Sequence, residues 1–307
     1  MAERDLIEQL EQVLEGKASP GPEVAELVRI ASDVRYLPDE KFRARLKGEL
    51  MITITKTNWI PEGFHSVTPY LHPQAAPELI DFMKRAFGAE ELGRYPRPDG
   101  SIMHAQVRIG DSILEMGEPP GEHKPQPVPL HMYVEDADAV YRQAIAAGGK
   151  SIYEPVDQEY GDREGGVIDP SGNHWYIATH KGARYIPEGL HTVTQGLAVA
   201  NAPVVLEFLK NAFAAEEAFV FRSPDGTIVH AKIKIGDTIV EMSEVHGPFP
   251  AMPAALHLYV EDVDAVYKAA VAAGGKSLSA PQDQPYGERS GGVADPAGNL
   301  WYIASRL

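Results

Sequence analysis

From Ser66 to Leu71 apolar and polar residues alternate, with Val67 and Leu71 set against Thr68 and Tyr70, the pattern of a half-buried strand. The spacing then changes. Leu79, Phe82, Met83, Ala86 and Phe87 form one stripe, which predicts a helix over Ala76–Phe87. Alternation returns near Glu91–Tyr95 and through Ile102–Ile109 and Ser112–Gly117, with Gly110-Asp111 as a tight hairpin turn. After a proline-rich connector the same order recurs: strand Leu130–Glu135, helix Asp138–Ala147, then strands near Ser151–Glu154, Gly165–Ile168 and His174–Thr179. Asp136 is the expected N-cap of the second helix and Gly148-Gly149 its stop. Asp169-Pro170 and Gly172-Asn173 mark the last turn. The pattern is β-α-β-β-β, twice.

All of this is then written again. Ile60–Lys181 falls on Ile186–Leu307 without a gap, and more than half of the paired positions are identical. HAQVRIGDSILEM becomes HAKIKIGDTIVEM, and LHMYVEDADAV becomes LHLYVEDVDAV. The period is far longer than that of a solenoid, so each copy is expected to be a domain. The expected organisation is a helical extension over 1–50, a first domain over 51–181 and a second over 186–307. In the extension, Leu6, Ile7, Leu10, Val13 and Leu14, then Val24, Leu27, Val28, Ala31 and Val34, then Phe42, Leu46 and Leu50 recur at helical spacing, predicting three amphipathic helices. Met51–Trp59 reads as a connector or an added edge strand.

Alternation assigns faces. Met103, Ala105, Val107 and Ile109 suit packing against helices, which leaves His104 and Gln106 on the other face. The same reasoning gathers Thr68, Tyr70, Glu115, His131, Tyr133 and Tyr176 with them. In the second copy it gathers Thr194, His230, Lys232, Glu241, His257, Tyr259 and Tyr302. Two imidazoles and a carboxylate suit a divalent metal with open positions. The expected meeting is His104, Glu115 and His131 in one hollow and His230, Glu241 and His257 in the other. A metal-free polar pocket, with the histidines bonded to the glutamates, fits the same residues. Glu115 and Glu241 are also the candidate general bases. Arg163 and Arg289, between a Tyr-Gly pair and a Gly-Gly pair, are candidates for binding a ligand carboxylate, or else for a salt bridge to Asp157 or Glu164. His65 and His191, in IPEGxH, are expected to cap or pack, and His123 and His246 to be solvated.

The motifs HSVTPYL, FMKRAFGAEEL, HAQVRIGDSILEM, LHMYVEDADAV and YGDREGGVIDPSGNHWYIA resemble those of the vicinal-oxygen-chelate (VOC) superfamily of glyoxalase I, bleomycin-resistance proteins and extradiol dioxygenases. Its PhnB-like branch is the most similar. The resemblance implies an α+β fold of two tandem VOC domains, each of paired βαβββ modules forming a cupped mixed sheet with a ligand pocket inside. It implies one divalent metal (Zn, Fe, Ni or Mn) per domain where the ligands are complete. The positions implied are Thr68, Glu115, Pro129 or the nearby His131, and Tyr176. In the second copy they are Thr194, Glu241, Ala255 or His257, and Tyr302. At most half of the usual set is therefore present. The function implied is small-molecule binding of the bleomycin-resistance or PhnB-like kind, or a metal-dependent lyase, isomerase or dioxygenase.

The remaining features narrow the partners. A net charge of −16 disfavours nucleic acid. The absence of cysteine excludes disulfides and thiol catalysis. No apolar run is long enough for a bilayer, and Met1–Leu10 lacks the apolar core of a signal peptide, so a soluble cytoplasmic protein is expected. A fused pair can make a dimer-like contact internally, which allows a monomer.

Overall fold

The computed structural model describes residues 59–119, 121, 124–245 and 250–307. The expected helices of 1–50, the connector up to residue 58, and His123 and His246 lie outside the described residues. Module one comprises β1 (Val67–Leu71), α1 (Ala76–Phe87), β2 (Glu90–Pro96), β3 (Ile102–Ile109) and β4 (Ser112–Met116). Module two comprises β5 (Pro129–Tyr133), α2 (Ala137–Ala146), β6 (Lys150–Asp157), β7 (Asp162–Ile168) and β8 (His174–His180). Module three comprises β9 (Val193–Val199), α3 (Ala202–Phe213), β10 (Glu216–Arg222), β11 (Ile228–Ile235) and β12 (Thr238–Glu244). Module four comprises β13 (Ala255–Tyr259), α4 (Val263–Ala272), β14 (Lys276–Asp283), β15 (Glu288–Ala294) and β16 (Leu300–Arg306).

The modules pair into two eight-stranded mixed sheets, as the fold class requires, but the pairing crosses the copies. One sheet has the order β14-β15-β16-β13-β1-β4-β3-β2 and joins modules one and four; we call it the outer cup. The other, β10-β11-β12-β9-β5-β8-β7-β6, joins modules two and three and is the inner cup. The expectation that each copy closes its own cup is corrected by the register: Thr68 lies opposite His257, and His131 lies opposite Thr194. Residues 60–181 and 186–307 are the units of the repeat, but neither carries a whole cup.

Local chemistry forms the elements where the patterns predict them. Asp136 caps α2 by accepting from the Ala139 N–H at 2.9 Å, and Asp262 does the same for α4. Gly88 ends α1 in the left-handed region at φ 66°, whereas Ala214 must adopt φ 51° to end α3. The helices bury the convex faces of the sheets. Phe87 of α1 packs on Trp175 of β8, and Phe213 of α3 on Trp301 of β16, so the helices of one copy meet back to back. Both tryptophans are buried, and each indole N–H donates to the turn carboxylate of its own module, Asp169 or Asp295.

The copies interlock at a pseudo-two-fold seam. Asp111, in the β3–β4 turn, accepts from the Thr192 N–H at 2.8 Å, and Asp237, in the β11–β12 turn, accepts from the Ser66 N–H at 2.7 Å. A Cβ on Gly110 would lie 2.2 Å from Thr192 Oγ1, and one on Gly236 would lie 2.1 Å from Ser66 Oγ, so both turns need glycine. Between them the imidazoles of His65 and His191 stack with centroids 3.5 Å apart.

Candidate functional site

Each concave face gathers one glutamate from a fourth strand and one histidine from the other copy. In the outer cup Glu115 is buried on β4, and His257 reaches it from β13 with Nδ1 2.6 Å from Oε2. Gln106 on β3 donates to Glu115 Oε1 at 3.2 Å, and His104 Nε2 stands 3.5 Å from the same oxygen. In the inner cup His131 Nδ1 lies 2.8 Å from Glu241 Oε2, His230 Nε2 3.8 Å from Glu241 Oε1, and Lys232 Nζ 3.7 Å from it. The groupings are therefore His104, Glu115 and His257 in one cup and His230, Glu241 and His131 in the other. The expected meeting of His131 with Glu115, and of His257 with Glu241, is corrected, because the fifth strand of each copy joins the opposite cup.

Electrostatics make each pair an ion pair. Burial opposes charge on His131, but Glu241 and Glu164 outweigh it and raise the imidazole to about 10. Burial likewise opposes charge on Glu241, yet His131 holds its carboxyl down at about 2. In the outer cup burial acts against both partners, and the attraction between Glu115 and His257 again lowers the acid and raises the base. His104 and His230 are pushed below the ordinary imidazole range, chiefly by burial.

The other expected site residues divide. Thr68 and Thr194 are buried beside the paired histidines. Tyr70 and Tyr302 meet edge to face at 5.2 Å in the outer cup, and Tyr176 lies near Tyr153 in the inner one. Tyr133 and Tyr259 share the histidine faces, but their hydroxyls are engaged, donating to Asp162 at 3.0 Å and Glu288 at 3.2 Å. Arg163 and Arg289 do not face a cup. Residues 162–168 form a strand in which Asp162 and Glu164 point inward, so Arg163 points out and forks onto Asp138 of α2 and onto Asp157. Arg289 does the same with Asp264 and Asp283.

Several concave residues were missed by the sequence reading. Glu164 lies 3.2 Å from His131 Nε2 and accepts from the Tyr153 hydroxyl. Glu288 stands 3.8 Å from His257 Nε2, and His72 Nε2 is 3.2 Å from the Tyr302 hydroxyl. Phe219 and Phe221 of β10 pair with Lys232 and His230 and share their face. Extending the alternation through β7 and β10 would have found Glu164, Phe219 and Phe221.

In both cups the glutamate and the histidine that would face a metal are closed onto each other. Glu115 Oε2 is closed onto His257 Nδ1 at 2.6 Å and Glu241 Oε2 onto His131 Nδ1 at 2.8 Å, so a cation between either pair would have to open it, while the Nε2 atoms of both histidines are buried with no hydrogen-bond partner. Among the described residues one trio has ligating atoms all within 4.8 Å of one another: His65, Asp111 and His191. It lies at the seam, where His191 Nδ1 is 3.1 Å from Asp111 Oδ2 and His65 Nδ1 is 3.4 Å from Asp237 Oδ2.

The sequence profile of the Glyoxalase/Bleomycin resistance protein/Dioxygenase superfamily matches residues 73–177 and again 189–303. The chain belongs to this superfamily. Glyoxalase I from Zea mays has the same fold, with a TM-score of 0.62 at 18% identity over 78% of this chain and 92% of that one. An uncharacterised protein of Mycobacterium bovis is 38% identical over 123 residues, 36% of this chain and 81% of its own. A second M. bovis protein, CFP32, whose name marks it provisionally as a glyoxylase, is 25% identical over 221 residues, 68% of this chain and 82% of its own. Among the described residues of this VOC protein no helix is long and apolar enough to cross a membrane.

Proposed function

We propose that this VOC protein binds a small organic molecule in each cup, in the bleomycin-resistance or PhnB-like manner, with the buried glutamate–histidine pair as its polar anchor and without a metal. The observation that carries the reading is the closed Glu115–His257 pair, 2.6 Å apart, and its inner-cup counterpart. Such a pair holds its shape without a ligand and offers the pocket a fixed dipole. A second reading, a metal-dependent lyase, isomerase or dioxygenase, draws on the provisional glyoxylase name of CFP32. Elemental analysis of untagged protein, together with a thermal-shift screen of small organic molecules, separates the two. We expect substoichiometric metal and ligand-induced stabilisation that His257→Ala and His131→Ala reduce. Stoichiometric zinc, iron, nickel or manganese, lost in either variant, would sink the metal-free reading.

A further inference from the structure

The two cups differ at the position next to the glutamate. In the outer cup it is Gln106, whose amide donates to Glu115 at 3.2 Å and is satisfied. In the inner cup it is Lys232. Its ammonium lies 3.7 Å from Glu241 Oε1, too far for a hydrogen bond, and among the described residues no side chain or carbonyl accepts from it. The Lys232 side chain is only 27% exposed, so water does not surround it freely. Glu241 Oε2 and Glu164 hold His131 at 2.8 and 3.2 Å, and Glu241 Oε1 is a loose ion-pair partner of Lys232 at 3.7 Å, so the ammonium keeps its hydrogen-bonding positions open. A half-buried ammonium held only by a loose ion pair, with no hydrogen-bonded acceptor, is a place for an anion.

The strand beside it adds a second feature. Phe219 lies directly across the β10–β11 ladder from Lys232, and Phe221 lies across from His230. Both phenyl rings are more than half exposed, at 51% and 54%, on the concave face. The corresponding outer-cup residues are Gly93 and Tyr95, across from Gln106 and His104. Of the two cups, the inner one therefore sets an open aromatic surface beside an ammonium that makes no hydrogen bond.

From this juxtaposition we infer that the inner cup takes an aromatic anion, an arylcarboxylate or similar acid, with the acid group on Lys232 and the ring on Phe219 and Phe221. The outer cup, with Gln106, takes an uncharged ligand. This rests on the reading of the cups as small-molecule sites and adds the ligand class and the residue that sets it. Ring contact with the phenylalanines supplies apolar burial common to an acid and its amide, and the ammonium supplies the difference between them.

The test is calorimetric titration of the full chain with 2-naphthoate and, separately, 2-naphthamide. The acid is expected to bind at one site per chain, about tenfold or more tighter than the amide, the effect of one charge-assisted hydrogen bond. Lys232→Gln, which installs the outer cup's own residue, should bring the acid to the level of the amide and leave the amide unchanged. Gln106→Lys should create a second, weaker acid site, because Gly93 stands where the inner cup has Phe219, and Phe219→Gly should weaken both probes alike. An acid preference that survives in Lys232→Gln, or equal binding of the two probes to the unaltered protein, overturns the assignment and leaves the cups as binding sites. Binding of neither probe at millimolar concentration removes the small-molecule reading along with it.

Discussion

The outer and inner cups are built from the same repeat, yet they hold their central histidines differently. His257 is bound at one nitrogen, by Glu115 at 2.6 Å, and its other nitrogen is 3.8 Å from the nearest carboxylate, Glu288. His131 is bound at one nitrogen by Glu241 and approached at the other by Glu164, 3.2 Å away. The difference traces to two positions: the outer cup has Ser290 where the inner cup has Glu164, and Glu288 where it has Asp162. The closer second carboxylate adds to the attraction that keeps the inner imidazole charged. Duplication preserved the scaffold, and single side chains on its concave face gave each hollow its own electrostatics.

The largest expected effect comes from removing the histidines. His131→Ala leaves Glu164 buried without its counter-charge and Glu241 with only Lys232 at 3.7 Å, and His257→Ala removes the close counter-charge of Glu115. Each should lose about 3–5 kcal/mol of stability, with the inner-cup variant at the upper end. Urea unfolding at neutral pH measures this, and equal losses would erase the comparison.

Next in size is a pH effect. With His131 raised to about 10 from 6.5, its contribution is fully present below 6.5 and is lost as the pH rises through about 10. Glu241, lowered to about 2 from 4.5, contributes above 4.5 and loses that contribution as the pH falls through about 2. The inner pair is therefore strongest near pH 4.5–6.5 and fades on the alkaline side. Glu164→Gln should lower the His131 midpoint, read by NMR of the imidazole, by about one unit or more, equivalent to roughly 1.4 kcal/mol. Ser290→Glu should raise that of His257. A His131 midpoint unmoved by Glu164→Gln would show that the second carboxylate is not the cause.

The smallest effect lies outside the cups, in the helices behind them. Ala214 ends α3 at φ 51°, where α1 has Gly88 at φ 66°. Ala214→Gly should stabilise the protein by about 0.5–1 kcal/mol, and Gly88→Ala should destabilise it by a similar amount. Thermal unfolding of the two variants checks both signs.

Much of this was legible along the chain. The alternation of Ile102–Ile109 put His104 and Gln106 opposite Ala105 and Val107, and the fold keeps them so, with Ala105 and Val107 fully buried. Asp136 was readable as a cap because its side chain acts within three residues of itself. Of the two roles open to Arg163, the fold realises the salt bridge to Asp157, and the ligand-binding role came from Gly-rich surroundings that suggest a loop. Once residues 162–168 are a strand, alternation carries Arg163 away from the hollow.

The sequence by itself determined the four modules, their faces and the candidates on each face, because these depend on local periodicity. Which histidine meets which glutamate was decided only in the tertiary structure. β5 and β13 present nearly the same residues, LHMY and LHLY, so β1 and β9 could pair with either by hydrophobic pattern alone. The choice rests on contacts distant in the chain. The Asp111 and Asp237 turns lock onto Thr192 and Ser66, and the helices of each copy pack back to back. No local period encodes such contacts.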